Sequence, residues 1–148
     1  MIDVPGLRIG NWVYDGNHTQ FPMWVCSVQH DGYVTLDFKA NEGMPWDANA
    51  RDLEGIPLTE QLLMKIGFKQ NFVEGVEYYS TFIKINDKRH LHLSIRLDKQ
   101  RADITEISQK NFPDTELRLR SHIEDIFFLH ELQNFFFLTT QQQLTINL

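Results

Sequence analysis

His90 and His92 are the first residues of this chain whose type and spacing suggest chemistry. Two residues apart on a strand, their imidazoles share one face. Such a pair can chelate a metal, but a zinc-type site needs a third ligand and partners that orient the first two. Arg89 and Arg96 stand close by and would repel a cation. Metal binding is therefore a weak reading of His90 and His92, and an exposed polar face is the better one. His130 and Asn134 lie one helical turn apart, on the polar stripe of an otherwise apolar run, with Glu131 beside them. As a functional pair they would orient a ligand or move a proton. As a structural pair they would hydrogen-bond nearby backbone and fix how their helix docks. The structural reading is preferred, because no nucleophile or second acid stands at a readable spacing.

The remaining candidates are weaker. Cys26 sits between Val25 and Ser27 with no base or helix N-terminus nearby to lower its pKa, which makes it a core or half-buried thiol rather than a nucleophile. Asp15, His18, His30 and Asp31 would cluster only if the N-terminal loops converge. The chain has no P-loop, glycine-rich dinucleotide turn, nucleophile elbow or zincin helix. No catalytic residue and no cofactor are expected, and an enzyme is the less favoured class.

Charge gives a different lead. Residues 1–80 hold five Lys or Arg against eleven Asp or Glu, whereas residues 84–120 hold nine against six. Lys84, Lys88, Arg89, Arg96, Lys99 and Arg101 are the candidate contacts if that segment meets nucleic acid. The net charge of -6 weakens long-range attraction to phosphate, so a solvated mixed-charge surface is the simpler expectation.

The elements that must position these residues follow from periodicity. Segments 7–14, 24–29 and 33–38 read as strands, and Asp31-Gly32 between the last two signals a hairpin. Short strands, tight turns and two tryptophans suggest an SH3-like small β-barrel or bent sheet over residues 1–58. Residues 39–57 read as loop, anchored by Trp46. Thr59 caps a short helix with Leu62, Leu63 and Ile66 on its apolar face, and Gly67-Phe68 reads as a Schellman stop. Two strands follow, near 75–85 and 90–99, joined by Asn86-Asp87-Lys88-Arg89. In the second, Leu91, Leu93, Ile95 and Leu97 alternate with His90, His92, Ser94 and Arg96, the pattern of a half-buried antiparallel strand. Residues 115–120 alternate again.

The pair Ser121 and Glu124 matches a capping box, predicting that the last helix starts at His122. That helix carries five of the eleven phenylalanines, at 127, 128, 135, 136 and 137, and it is apolar on nearly every side, so it is expected to be enclosed. Residues 144–148 alternate once more. The expected class is α+β: the SH3-like part, then a short helix, an antiparallel sheet and a buried C-terminal helix. Residues 59–148 form a second α+β subdomain, either separate or merged with the first.

Three motifs carry a resemblance. They are Leu7-Arg8-Ile9-Gly10-Asn11-Trp12-Val13, Gly55-Ile56-Pro57-Leu58-Thr59-Glu60, and His130-Glu131-Leu132-Gln133-Asn134-Phe135-Phe136. In order and spacing the chain resembles a family of small uncharacterised proteins of Bacteroidetes genomes and their phages or prophages. That family often continues with Leu-Thr-Gly-Glu-Glu-Leu, whereas here Leu138 is followed by Thr139-Thr140-Gln141, so a helix stop without glycine is expected. The resemblance implies a bacterial or phage origin and carries no catalytic residue with it.

The longest apolar runs are four residues, too short to span a bilayer. No secretory signal opens the chain, and one cysteine leaves no internal disulfide. A cytoplasmic accessory or interaction protein is the leading expectation, working through protein contacts and possible self-association. A nucleic-acid-binding module is the alternative and an unrecognised enzyme the third. No membrane partner is expected.

Overall fold

The computed structural model describes residues 2, 4–17, 21–109 and 116–148. His18, and the part of the basic segment at 110–115, lie outside the described residues. Two five-stranded antiparallel sheets and two α-helices make the class α+β. The chain divides into two compact units. The first comprises Met1–Pro57 with Phe128–Leu138 and Gln142–Leu144; the second comprises Leu58–Phe127 with the remaining C-terminal residues.

In the first unit the strands are β1 (Trp12–Asp15), β2 (Met23–Val28), β3 (Tyr33–Asp37), β4 (Trp46–Asn49) and β5 (Leu53–Gly55), in the order β4-β3-β2-β1-β5. Between β2 and β3, Gly32 adopts φ +91°, and the Gln29 N–H donates to the Tyr33 carbonyl at 2.8 Å. Only a residue at ease with positive φ closes this turn cheaply, which is why Asp-Gly marks it. Alternation buries Val13, Met23, Val25, Val34 and Leu36, which join Leu53, Ala50, Leu7 and Ile2 in one core. The pairing leaves β4 and β5 as edges, so of the two expected forms, a small barrel or a bent sheet, the sheet formed by the described residues is open and not a closed barrel.

The stretch read as loop, 39–57, contains β4, a 3-10 turn at Ala50–Asp52 and β5. Its turn-forming residues hid a short alternation of Trp46 and Ala48 with Asp47 and Asn49. Trp46 does anchor it, with its ring 5.6 Å from that of Phe38.

The last helix, α2, spans Leu129–Thr140 and not the stretch from His122. Leu129, His130, Leu132, Phe135 and Phe136 are buried. The expectation that it is enclosed on every side needs correction. Leu138 is 69% exposed, and the Phe137 ring is covered by the Arg8 guanidinium, 3.3 Å from its centroid, a cation–π contact that shields an aromatic face without burying it in the core. The helix ends on Gln141 at φ +60°, so a glutamine takes the left-handed position that glycine usually fills.

The second unit begins with α1 (Glu60–Lys65). Thr59 Oγ1 accepts from the Leu62 N–H at 3.2 Å. Gly67, at φ +102°, and Phe68 close the helix, the Phe68 N–H donating to the Leu63 carbonyl at 3.0 Å. Then β6 (Lys69–Val73), β7 (Val76–Lys84), β8 (Arg89–Arg96), β9 (Arg101–Gln109) and β10 (Glu116–Asp125) form a meander in the order β10-β9-β8-β7-β6.

Residues 121–125, predicted as helix, belong to β10. Ser121 pairs with Thr105 and Glu124 with Ala102, and the Ser121 hydroxyl donates to Asp103 Oδ1 at 2.8 Å. A local capping signal worth about 1 kcal/mol loses to a ladder of strand pairs. Residues 143–148 form no strand.

Candidate functional site

The motif residues of α2 hold the fold. Gln133 Oε1 accepts from the Trp12 N–H at 2.8 Å, while Gln133 Nε2 donates to the Gly10 carbonyl at 2.9 Å. Asn134 Oδ1 accepts from Asn11 Nδ2 at 3.0 Å, and Asn134 Nδ2 donates to the Gly6 carbonyl at 2.7 Å. Both amides thus use a donor and an acceptor on the segment 6–12, adding to the backbone bonds that the Gly10 N–H and the Asn11 carbonyl make with Val25 of β2 at 2.8 and 2.9 Å. Glu131 reaches back to the Phe128 N–H at 3.1 Å. This is the reciprocal half of a capping box whose other half is missing, because Phe128 has no side-chain acceptor.

His130 is buried at 5% exposure, and its Nδ1 has no hydrogen-bond partner among the described residues. Its ring stacks on Phe128 with centroids 5.9 Å apart. Burial pushes its pKa below the ordinary imidazole value of 6.5, and the nearby Glu131 charge offsets this only in part. The unfolded chain therefore takes up a proton near pH 6.5 that the folded chain refuses until lower pH. This contribution to stability is complete above pH 6.5 and is lost as the pH falls through the depressed folded value. We predict that the urea midpoint drops below about pH 6.5, and that the drop is smaller in His130→Leu. Equal pH slopes in the two proteins would refute the assignment.

Other sequence candidates do not converge. Cys26 lies where the β2–β3 register slips, between Val25 and Ser27. Burial and then the Asp37 charge push its pKa up, away from a reactive thiolate. Asp15 and Asp31 each accept from a backbone N–H two residues on, at 3.0 and 3.2 Å. In the second unit, burial pushes the Tyr79 phenol up to about 12, with Glu77 hydrogen-bonded to it adding to the effect.

The histidine pair has a different setting from the one its spacing implied. The β7–β8 loop is 85–88, not 86–89. Asn86 Oδ1 accepts from the Lys88 and Arg89 N–H groups at 2.9 Å each, a side-chain turn that sets the register. That register puts Lys84 opposite His90 and Phe82 opposite His92. Phe82 therefore lies between the two imidazoles. Its ring centroid is 4.7 Å from His92 with the planes 26° apart, and 5.4 Å from His90, edge to face. Phe82 is nevertheless 64% exposed. Pairing and alternation place Tyr78, Ser80, Phe82, Lys84, His90, His92, Ser94, Arg96, Arg101, Asp103, Thr105 and Ile107 on one face, where Ser80, Thr105 and Ile107 are buried. The opposite face carries the buried Tyr79, Leu91, Leu93, Ile95, Ala102 and Ile104.

The basic candidates divide accordingly. Lys84, Arg96 and Arg101 share the face of Phe82. Arg89 belongs to the other face and pairs with Glu106 at 3.3 Å, while Lys88 and Lys99 sit in turns. Lys84 meets Asp87 at 3.1 Å, Arg96 meets Asp98 at 2.7 Å and Arg101 meets Asp125 at 3.6 Å. Hydrogen bonding to Asp98 holds the Arg96 pKa up, and Arg96 in turn holds the Asp98 carboxyl down. No group of three metal-ligating side chains occurs among the described residues. Sequence reasoning missed Phe82 altogether. The only signal for it was the loop length, since one residue more or less changes which side chains share the histidines' face.

No family model, curated protein or solved structure matches the chain. None of the helices formed by the described residues is long and apolar enough to cross a membrane.

Proposed function

We propose that the chain is a cytoplasmic accessory protein of a bacterial or phage system that acts by binding, with an SH3-like first unit and a working surface around Phe82 on the second. The observation that carries the binding role is the exposed Phe82 ring between His90 and His92. A large apolar ring left in water costs solvation that a partner would recover. The polar side chains of the helix motif support the same reading, because Gln133 and Asn134 are engaged in holding segment 6–12. For the first unit, the order β5-β1-β2-β3-β4 with a 3-10 turn just before β5 is the arrangement expected of an SH3-like module. The bacterial or phage setting rests on the three resemblance motifs.

The test is amide hydrogen exchange of the labelled chain, alone and in clarified bacterial extract. Slower exchange confined to β7 and β8 is the expected result. Unchanged exchange there, with or without change elsewhere, overturns this surface as the site of action.

A further inference from the structure

We infer that the partner of this face is a single-stranded nucleic acid, stacked on Phe82 and held at its phosphates by Lys84, Arg96 and Arg101. The inference rests on the reading that this face is the binding surface, and gives that surface a ligand.

Three observations converge. First, Phe82 and His92 already stack nearly parallel at 4.7 Å, and a base has the same flat π-face to add to the exposed Phe82 ring. Stacking of this kind tolerates any base and dominates single-strand binding. Second, cations lie along the strands on both sides of the ring. Lys84 is two residues from Phe82 along β7, and Arg96 is four residues from His92 along β8 on the same face. Arg101 pairs directly with Arg96. The Arg96 guanidinium also lies 5.8 Å from the Tyr78 ring, which presents a second aromatic on this face. Third, of the two carboxylates that pairing puts on this face, Asp125 is salt-bridged to Arg101 at 3.6 Å, and Asp103 is turned to its neighbours, with Oδ1 accepting from the Thr105 and Ser121 hydroxyls at 3.2 and 2.8 Å.

Two features oppose a polyanion, and both yield to magnitudes. The carboxylates that pair with the three cations are themselves 60–96% exposed, and exposed pairs are worth little. A phosphate can replace each carboxylate at small cost. The chain's net charge of -6 is not spread evenly. Residues 58–127, which hold this sheet, carry eleven Lys or Arg against eleven Asp or Glu. The excess acid lies in the rest of the sequence, and at ordinary salt its repulsion falls off over about 10 Å.

The test uses the full chain and a fluorescein-labelled, mixed-sequence single-stranded DNA of about 12 nucleotides, followed by anisotropy at about 20 mM salt. Saturable binding is expected, with weaker binding to the duplex of the same sequence. Phe82→Ala should weaken binding at least tenfold and Phe82→Trp should preserve it. Because Phe82 is exposed, both variants should keep the wild-type melting temperature, which separates loss of binding from loss of fold. Lys84→Gln and Arg96→Gln should each lower the slope of log affinity against log salt by about one. Absence of saturable binding at low salt overturns the inference, as does binding indifferent to Phe82→Ala. If the DNA fails to bind but sedimentation shows self-association that Phe82→Ala abolishes, the face is a protein interface. The nucleic-acid inference then fails while the binding surface stands.

Discussion

Phe136→Ala is expected to lower the unfolding free energy by about 3–5 kcal/mol, the usual cost of deleting a fully buried phenylalanine and leaving a cavity. Phe136 is 1% exposed on the buried face of α2, beside Leu129 and Leu132, both at 0%. The helix is also the element that pins segment 6–12 through Gln133 and Asn134. Loosening it therefore leaves the Trp12 N–H and the Gly6 and Gly10 carbonyls without these side-chain partners. All three tryptophans, at 12, 24 and 46, belong to the first unit. Urea denaturation followed by tryptophan fluorescence thus reads the unit in which α2 is docked. Leu138→Ala is the matched control. Leu138 is 69% exposed, and its loss should change stability by no more than about 0.5 kcal/mol. If Phe136→Ala also costs under about 1 kcal/mol, the docked helix does not carry the first unit.

The second large effect is at Gly55, where the smallest substitution should cost about 1–3 kcal/mol or more. A Cβ built on Gly55 would lie 2.5 Å from Phe128 Cγ and 2.9 Å from its Cβ. Rotation about χ1 moves Cγ, but Cβ is fixed by the backbone, so no rotamer change clears the contact at 2.9 Å. Nor can the backbone yield easily. Gly55 is paired with Val13, and on the other side Pro57 bridges to Phe128 while the Leu129 N–H donates to the Ile56 carbonyl at 2.9 Å. The glycine is required here for close approach and not for positive φ. A double-mutant cycle makes the point measurable. Gly55→Ala should be strongly destabilising in the wild type and less so in Phe128→Ala, which removes the clash with the ring but keeps the Cβ, with a coupling of about 1–2 kcal/mol between adjacent sites. Additive effects would show that the penalty at Gly55 does not come from the ring.

Gly55 also shows how far the sequence could be read. Its motif, Gly55-Ile56-Pro57-Leu58-Thr59-Glu60, contains a cap that was legible and a packing contact that was not. Thr59, Gly67 and Phe68 act within a few residues of one another, so their chemistry fixes α1 whatever surrounds it. Phe128 lies more than seventy residues from Gly55, and no local pattern joins them. The C-terminal helix divides in the same way. Its apolar content announced a helix, but Ser121 and Glu124 pointed to a start seven residues too early. Their capping signal is local, whereas the β9–β10 pairing that overrides it is not. Strands β6 and β9 were missed for a related reason. Lys69–Val73 is exposed throughout and shows no alternation, and in β9 the buried residues include Thr105 as well as Ala102, Ile104 and Ile107, which blurs the period.

The candidate site follows the same rule. Alternation in Arg89–Arg96 assigned His90 and His92 to one polar face, and charge counting found the cations of residues 84–120. Periodicity and caps are set by interactions within a turn or a strand, so the sequence by itself determined the α+β class, the short helix, the hairpin at Asp31-Gly32 and the polar face of β8. Register, edge and long-range packing depend on which segments meet. Tertiary structure alone therefore decided that Phe82 lies between the histidines, that Arg89 faces away from Lys84 and Arg96, and that Gln133 and Asn134 hold segment 6–12. A shift of one residue in a four-residue loop is nearly free locally, yet it changes every side chain that shares the face.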